Sequence, residues 1–196
     1  MSLAKIAPVL MAGGVRRRVA LALVALVAVA VSLTVSFDLR GVLGAALALL
    51  MLAIAVIDAR RFIIPNELNA AAFALGLVHA AVGETDLVAA LAAALLRGAA
   101  LGLLFLALRE LYAWWRGREG LGLGDVKLAG VAGVWLDWPA MPIAIEIAAL
   151  GALALYVAGH VRGRRRIHAA TRLPFGLFLA PAIWLAWLTQ FWLYAY

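Results

Sequence analysis

The chain has 196 residues, 67% of them hydrophobic and 14% charged, with a mean hydropathy of +1.06, and a soluble domain cannot keep a wet surface on that mixture. Cysteine is absent, which excludes disulfides, thiolate metal sites and cysteine nucleophiles. The net charge of +7 would suggest nucleic acid in a soluble protein, but here it is read through its placement between apolar spans, and no nucleic-acid partner is expected.

The apolar stretches are long enough to cross hydrocarbon, so the expected fold class is an all-α polytopic membrane protein, a bundle of about seven transmembrane helices. Residues 1–18 read as a cytoplasmic tail, with Arg16, Arg17 and Arg18 preceding a retained span rather than a cleaved signal peptide. A first span runs from Val19 to about Ser36 and carries no chemistry, and Asp38 and Arg40 mark an outer turn. The second span, Gly41 to Ile57, ends at Asp58, Arg60 and Arg61. Pro65 then disfavours helix in the residue before it, and Asn66 can cap a new one.

The third span runs from Leu68 to about Val82, with an acidic outer turn at Glu84 and Asp86, and the fourth from Leu87 to about Leu108. After the glycine run Gly120, Gly122 and Gly124, the stretch Val126 to Leu136 is about half the length needed to cross ~30 Å of hydrocarbon, which places Asp125 below the interface. Ala140 to about Gly159 and Leu173 to about Leu193 complete the bundle.

The charges fit this threading. Lys5, Arg16 to Arg18, Arg60, Arg61, Arg109, Arg116, Arg118, Lys127, the cluster Arg162 to Arg166 and Arg172 fall on one side, whereas Asp38, Glu84, Asp86 and Asp137 fall on the other with Arg40. By the positive-inside rule the first side is cytoplasmic, the C-terminus lies outside, and Asp58 and Asp125 share the cytoplasmic end of their spans. Trp135 and Trp138 are expected at the outer interface, as are Trp192, Tyr194 and Tyr196 at the C-terminus. The arginine cluster is expected to bind anionic headgroups of the bilayer.

Two aspartates at one depth on different spans suit aspartic proteolysis. Like charges a few Å apart cannot both ionise, so one carboxyl keeps its proton while the other activates water. The plainer alternative is that each aspartate caps a helix or pairs with an arginine. Glycines beside Asp125 let a backbone approach closely, as a substrate entering in extended form requires.

These stretches resemble the type IV prepilin peptidases. Asp58 followed by Ile64, Pro65 and Asn66 carries the first likeness; Gly122-Leu123-Gly124-Asp125-Val126-Lys127-Leu128 matches the family's GxGD motif with its continuation; and Pro174-Phe175-Gly176 with Leu179-Ala180-Pro181 is the third. The resemblance covers roughly residues 41 to 193, so 41–196 is expected to form the peptidase core and 19–40 an added span and turn.

The resemblance implies cleavage of the leader of pilin, pseudopilin or archaellin precursors at the cytoplasmic face by Asp58 and Asp125; no carboxylate or histidine set stands at ligand spacing, so no metal is expected, and no cofactor is expected either. It also implies that Gly122 and Gly124 shape the active-site backbone. Pro65, Asn66 and Lys127 would lie at the substrate site, and Pro174, Phe175 and Gly176 would line it from opposite or simply start a helix. The family's larger members carry a cysteine-bearing domain and methylate the new N-terminus. This chain lacks cysteine, so cleavage without methylation is expected. The oligomeric state is left open.

Gly-Leu-Gly-Asp also occurs in presenilin-type intramembrane proteases, the nearest alternative, and a transporter or scaffold with an aspartate ion site is another. Among the remaining polar residues, Arg97 and Glu146 are expected to form an ion pair between spans, and His79 to be hydrogen-bonded near an interface. Lys127 either lowers the pKa of Asp125 or reaches for headgroups. Glu67, Glu110 and Glu119 are the acidic groups available to a basic leader.

Overall fold

The computed structural model describes residues 14–118, 120–161 and 174–193. Lys5, Glu119, the Arg162 to Arg166 cluster, His168, Arg172, Tyr194 and Tyr196 lie outside these residues, as do the side chains of His160 and Trp192. The described chain is all helix: α1 (Val15–Val35), α2 (Leu39–Arg61), α3 (Asn66–Ala81), α4 (Leu87–Arg116), α5 (Leu123–Trp135), α6 (Ala140–Val161) and α7 (Gly176–Leu193). Helices α1, α2, α4 and α6 are each long and apolar enough to cross a membrane, and α7 is a shorter apolar helix. The protein is a polytopic membrane protein.

Helix α5 is the centre of one half of the bundle. Its 13 residues rise only about 20 Å, short of the ~30 Å hydrocarbon core. It packs against α4, α3 and α7, and Leu128, Ala129 and every residue from Val131 to Trp135 are buried. Helix α7 joins this half to α2 and α6, and α1 lies along α2.

Small residues set the distance between α4 and α5, as expected where lipid is no less apolar than the helix surface and close backbone approach supplies the attraction. A Cβ on Gly133 would stand 2.3 Å from the Arg97 carbonyl oxygen, a backbone atom that cannot step aside. Gly133→Val therefore forces the two helices apart. The expected result is destabilisation by about 3 kcal/mol, read as earlier thermal unfolding in detergent; an unchanged transition would show that the seam is not closely packed.

The end of the bundle remote from Asp58 is polar. Asp38 caps α2 by accepting from Arg40 and Gly41 N–H, and Asp86 caps α4 by accepting from Ala89 N–H at 2.9 Å, so these acids do helix-end work as well as marking turns. Arg40 donates to the Val82 carbonyl at 2.7 Å and lies 3.7 Å from Glu84. Arg40, Glu84, Arg97 and Asp137 line one cavity there, which groups the expected outer acids at a single end.

Several expectations change. Arg97 pairs with Asp137 at 3.7 Å rather than with Glu146. Ala144 and Ala148 are buried while Glu146 is exposed: lying midway between them on a 3.6-residue helix, it points away from the bundle. Trp135 is not an interfacial aromatic, because its side chain is buried and its indole N–H donates to the Ala72 carbonyl at 2.8 Å. The space it fills exists because position 76 is glycine, where a Cβ would meet the indole nitrogen at 2.7 Å. Trp138 does remain exposed. His79 is hydrogen-bonded as expected, accepting from the Trp187 indole N–H at 3.1 Å.

Candidate active site

Helix α2 continues through Arg61 instead of ending at Asp58. It is closed by Phe62 in the left-handed conformation (φ 54°), whose N–H donates to the Asp58 carbonyl at 2.9 Å. Asp58 thus occupies the rigid last turn of the helix, with its side chain only 5% exposed. The chain then runs through Ile63 and Ile64 to Pro65, which is extended (ψ 130°) and immediately precedes α3. Asn66 is the first helical residue rather than the cap. Its side-chain oxygen is free for another task, and it accepts from Lys127 Nζ at 2.9 Å.

That bond gives Lys127 a task that neither sequence-based reading named: the ammonium ties α5 to the start of α3, and Lys127 lines the same cavity as Asp125. Asp125 itself lies in the first turn of α5, half-buried, and accepts from the Gly122 N–H through Oδ2 at 3.1 Å. Because Gly122 has no side chain, this is one half of a capping box only. Asp125 therefore does perform the structural work of the plainer reading, but with one of its two oxygens.

Asp58 is held by a different helix end. Its Oδ2 accepts from Leu177 N–H at 2.9 Å, in the first turn of α7, where amide groups have no carbonyl partner within their own helix and carry partial positive charge. The Gly176 amide interacts with both carboxyls. Gly176 also stands very close: a Cβ there would lie 2.9 Å from Asp58 Oδ2 and 2.8 Å from Ile64 Cδ1. Gly176 therefore opens α7 and packs directly against Asp58.

Asp58 and Asp125 line one cavity of about 250 Å³, together with Phe62, Ile63, Ile64, Asn66, Gly122, Leu123, Gly124 and Lys127. Among the described residues no side-chain hydrogen bond joins the two carboxyls, and each is anchored through Oδ2. Three expected site residues stand elsewhere. Pro65 is buried beneath the turn and Pro174 accepts from Leu177 N–H at 3.2 Å. Phe175 faces a neighbouring apolar cavity, its ring 6.3 Å from that of Phe105.

Sequence reasoning missed Ile64 as a contact of both glycine walls: a Cβ at Gly124 would meet Ile64 Cβ at 3.1 Å. Its only signal was its place between Asp58 and Pro65. Chemically, two acids in one small cavity can divide the work of peptide hydrolysis. An ionised member would take a proton from water while a protonated member polarised the carbonyl.

The sequence model of the type IV leader peptidase family matches residues 45–157. The chain is 38% identical over 148 residues to a prepilin leader peptidase/N-methyltransferase of Burkholderia pseudomallei (strain 1026b), covering 72% of this chain and 46% of that one. Proteins of the same description from Aeromonas hydrophila (30% over 167 residues, 84% of this chain and 55% of that one) and Escherichia coli (strain K12) (34% over 131 residues, 66% and 55%) also match. The chain spans about half the length of these curated relatives. No solved structure matches it.

Proposed function

Since the chain belongs to the type IV leader peptidase family, we propose that it is a membrane aspartic endopeptidase that removes the leader from pilin-like membrane precursors, with Asp58 and Asp125 as the catalytic pair. The observation that carries this reading is their convergence, from the last turn of α2 and the first turn of α5, on one cavity. Gly122 and Gly124 form the backbone wall along which an extended substrate segment lies, Gly176 packs against Asp58, and Asn66 and Lys127 form the polar rim.

The site works at the cytoplasmic face. Support comes from the arginines and lysine at the aspartate end, Arg60, Arg61, Arg109, Arg116 and Lys127, and from the acids Asp38, Glu84 and Asp137 at the other. On this topology α1 precedes the peptidase core, in keeping with a family match that begins at residue 45.

The relatives' descriptions name two activities, and our reading takes the first alone. The reaction needs only water and two acids, whereas the family resemblance associates methylation with a cysteine-bearing domain and this chain has no cysteine. The family match also favours this reading over a presenilin-type protease or an ion carrier.

The test is to incubate the purified protein in detergent with a pilin-like precursor and a methyl donor, and to read the products by mass spectrometry. The expected outcome is a single cut that releases the leader, with no methyl group on the new N-terminus. An intact precursor would refute the peptidase reading, and a methylated product would refute the restriction to cleavage.

A further inference from the structure

Among the described residues, helices α4 and α6 each have a principal partner, α5 and α7, and form no extensive face with each other. The gap between them is apolar and elongated. Its larger part, a cavity of about 1010 Å³, is walled by Leu104, Leu108, Ile145 and Phe175 and ends at Trp115, Gly120 and Leu121. A smaller part of about 220 Å³ continues it past Ala100 and Met141 to Trp138. Leu104 and Ile145 line both parts, so the two form one groove.

Along α4 the groove runs from Ala100 to Trp115, which at about 1.5 Å per residue is roughly 22 Å, most of the ~30 Å that a membrane-spanning helix crosses. A tryptophan stands near each end, Trp138 and Trp115, as at the two interfaces of a bilayer. One end also meets the aspartate cavity through consecutive residues: Leu121 lines the groove and Gly122 the aspartate cavity, while Phe175 lines the groove and Gly176 touches Asp58. A chain leaving the groove at that end reaches the two carboxyls within a residue or two.

Resting on the peptidase reading, we propose that this groove between α4 and α6 seats the apolar membrane-spanning helix of the precursor, so that the segment unwinding from its end is delivered to Asp58 and Asp125. A bilayer-length slot with apolar walls matches a single helix. Its end beside the aspartate cavity, one residue away at Leu121 and Gly122, gives that helix a purpose that an acyl chain or a second copy of this protein would not have. The groove then positions the scissile bond by gripping the part of the substrate that is not cut.

The absence of cysteine makes the test direct. Single cysteines at Leu104→Cys, Ile145→Cys and, on the exposed face of α1, Leu26→Cys are placed in an Asp125→Asn background. The probe is a synthetic precursor with a short basic leader and an apolar helix of about twenty residues bearing one cysteine midway, reconstituted in phospholipid vesicles with an added oxidant. The expected result is a disulfide adduct at positions 104 and 145 and none at 26.

Adducts at 26 alone, equal adducts at all three, or dimers of the protein through position 145 in place of the adduct would overturn the groove assignment. Cleavage of the same probe by the unsubstituted protein separates the two claims. No cleavage overturns the peptidase reading and the groove with it, whereas cleavage without adducts at 104 and 145 overturns the groove alone. Independently, Ile145→Trp, which fills the groove, is expected to lower kcat/KM for this probe at least tenfold, with KM raised. An unchanged KM counts against the proposal.

Discussion

Asp58→Asn and Asp125→Asn each give a protein that inserts and folds but cuts precursor at least about 10³-fold more slowly. Asparagine keeps the shape of aspartate and an oxygen that can accept, so the Leu177 N–H bond to Asp58 and the Gly122 N–H bond to Asp125 both survive. What is lost is the proton that one acid must give and the other must take. Comparison with alanine sharpens the point. Asp58→Ala removes the shorter of two bonds made by the Leu177 amide, which keeps the Pro174 carbonyl, a loss of about 1 kcal/mol, so it loses some stability along with activity. The asparagine variant should lose activity alone. Cleavage by gel shift and thermal unfolding in detergent, measured on the same preparations, separate the two effects. Full activity in either asparagine variant would refute the pair.

The position of the two aspartates was legible because charge placement counts independently of packing. Arginine-rich ends put Asp58 and Asp125 at one end of their helices, and the two do line one cavity. What lay hidden depended on neighbours. Trp135 beside Trp138 looks like a pair of interfacial aromatics until α3 offers Gly76 and the Ala72 carbonyl to the first of them. Arg97 and Glu146 look like partners by depth alone, but rotation about the helix axis, set by Ala144 and Ala148 facing inward, turns Glu146 away. Lys127 is near Asp125 in sequence, yet its ammonium donates to Asn66, brought by another helix. The third motif stayed ambiguous because a glycine that opens a helix and a glycine that clears space for a carboxylate leave the same letter in the chain, and at Gly176 both reasons apply.

That double role yields the second large effect, at Gly176. Replacement by alanine exchanges the poorest non-proline helix former for the best, a change worth up to about 1 kcal/mol in favour of α7, so the bundle has no propensity reason to unfold. The added methyl would nevertheless sit 2.9 Å from Asp58 Oδ2 and 2.8 Å from Ile64 Cδ1, both closer than carbon is tolerated. Ile64 can yield at the tip of its side chain. Asp58 cannot yield without leaving the Leu177 amide, and a displacement of about 1 Å at a reacting group costs on the order of 10²-fold in rate. Gly176→Ala is therefore expected to keep its thermal transition within a few degrees while kcat falls about 100-fold, and Gly176→Val to cut no precursor at all. Gly124→Ala provides the graded comparison. Its Cβ meets only Ile64, at 3.1 Å, so its loss should be smaller, whereas a bulky residue there projects into the aspartate cavity and should block cleavage. If Gly176→Ala retained full activity, α7 would be a mere neighbour of Asp58, and the polarisation of the site by the N-terminus of that helix would have to be abandoned.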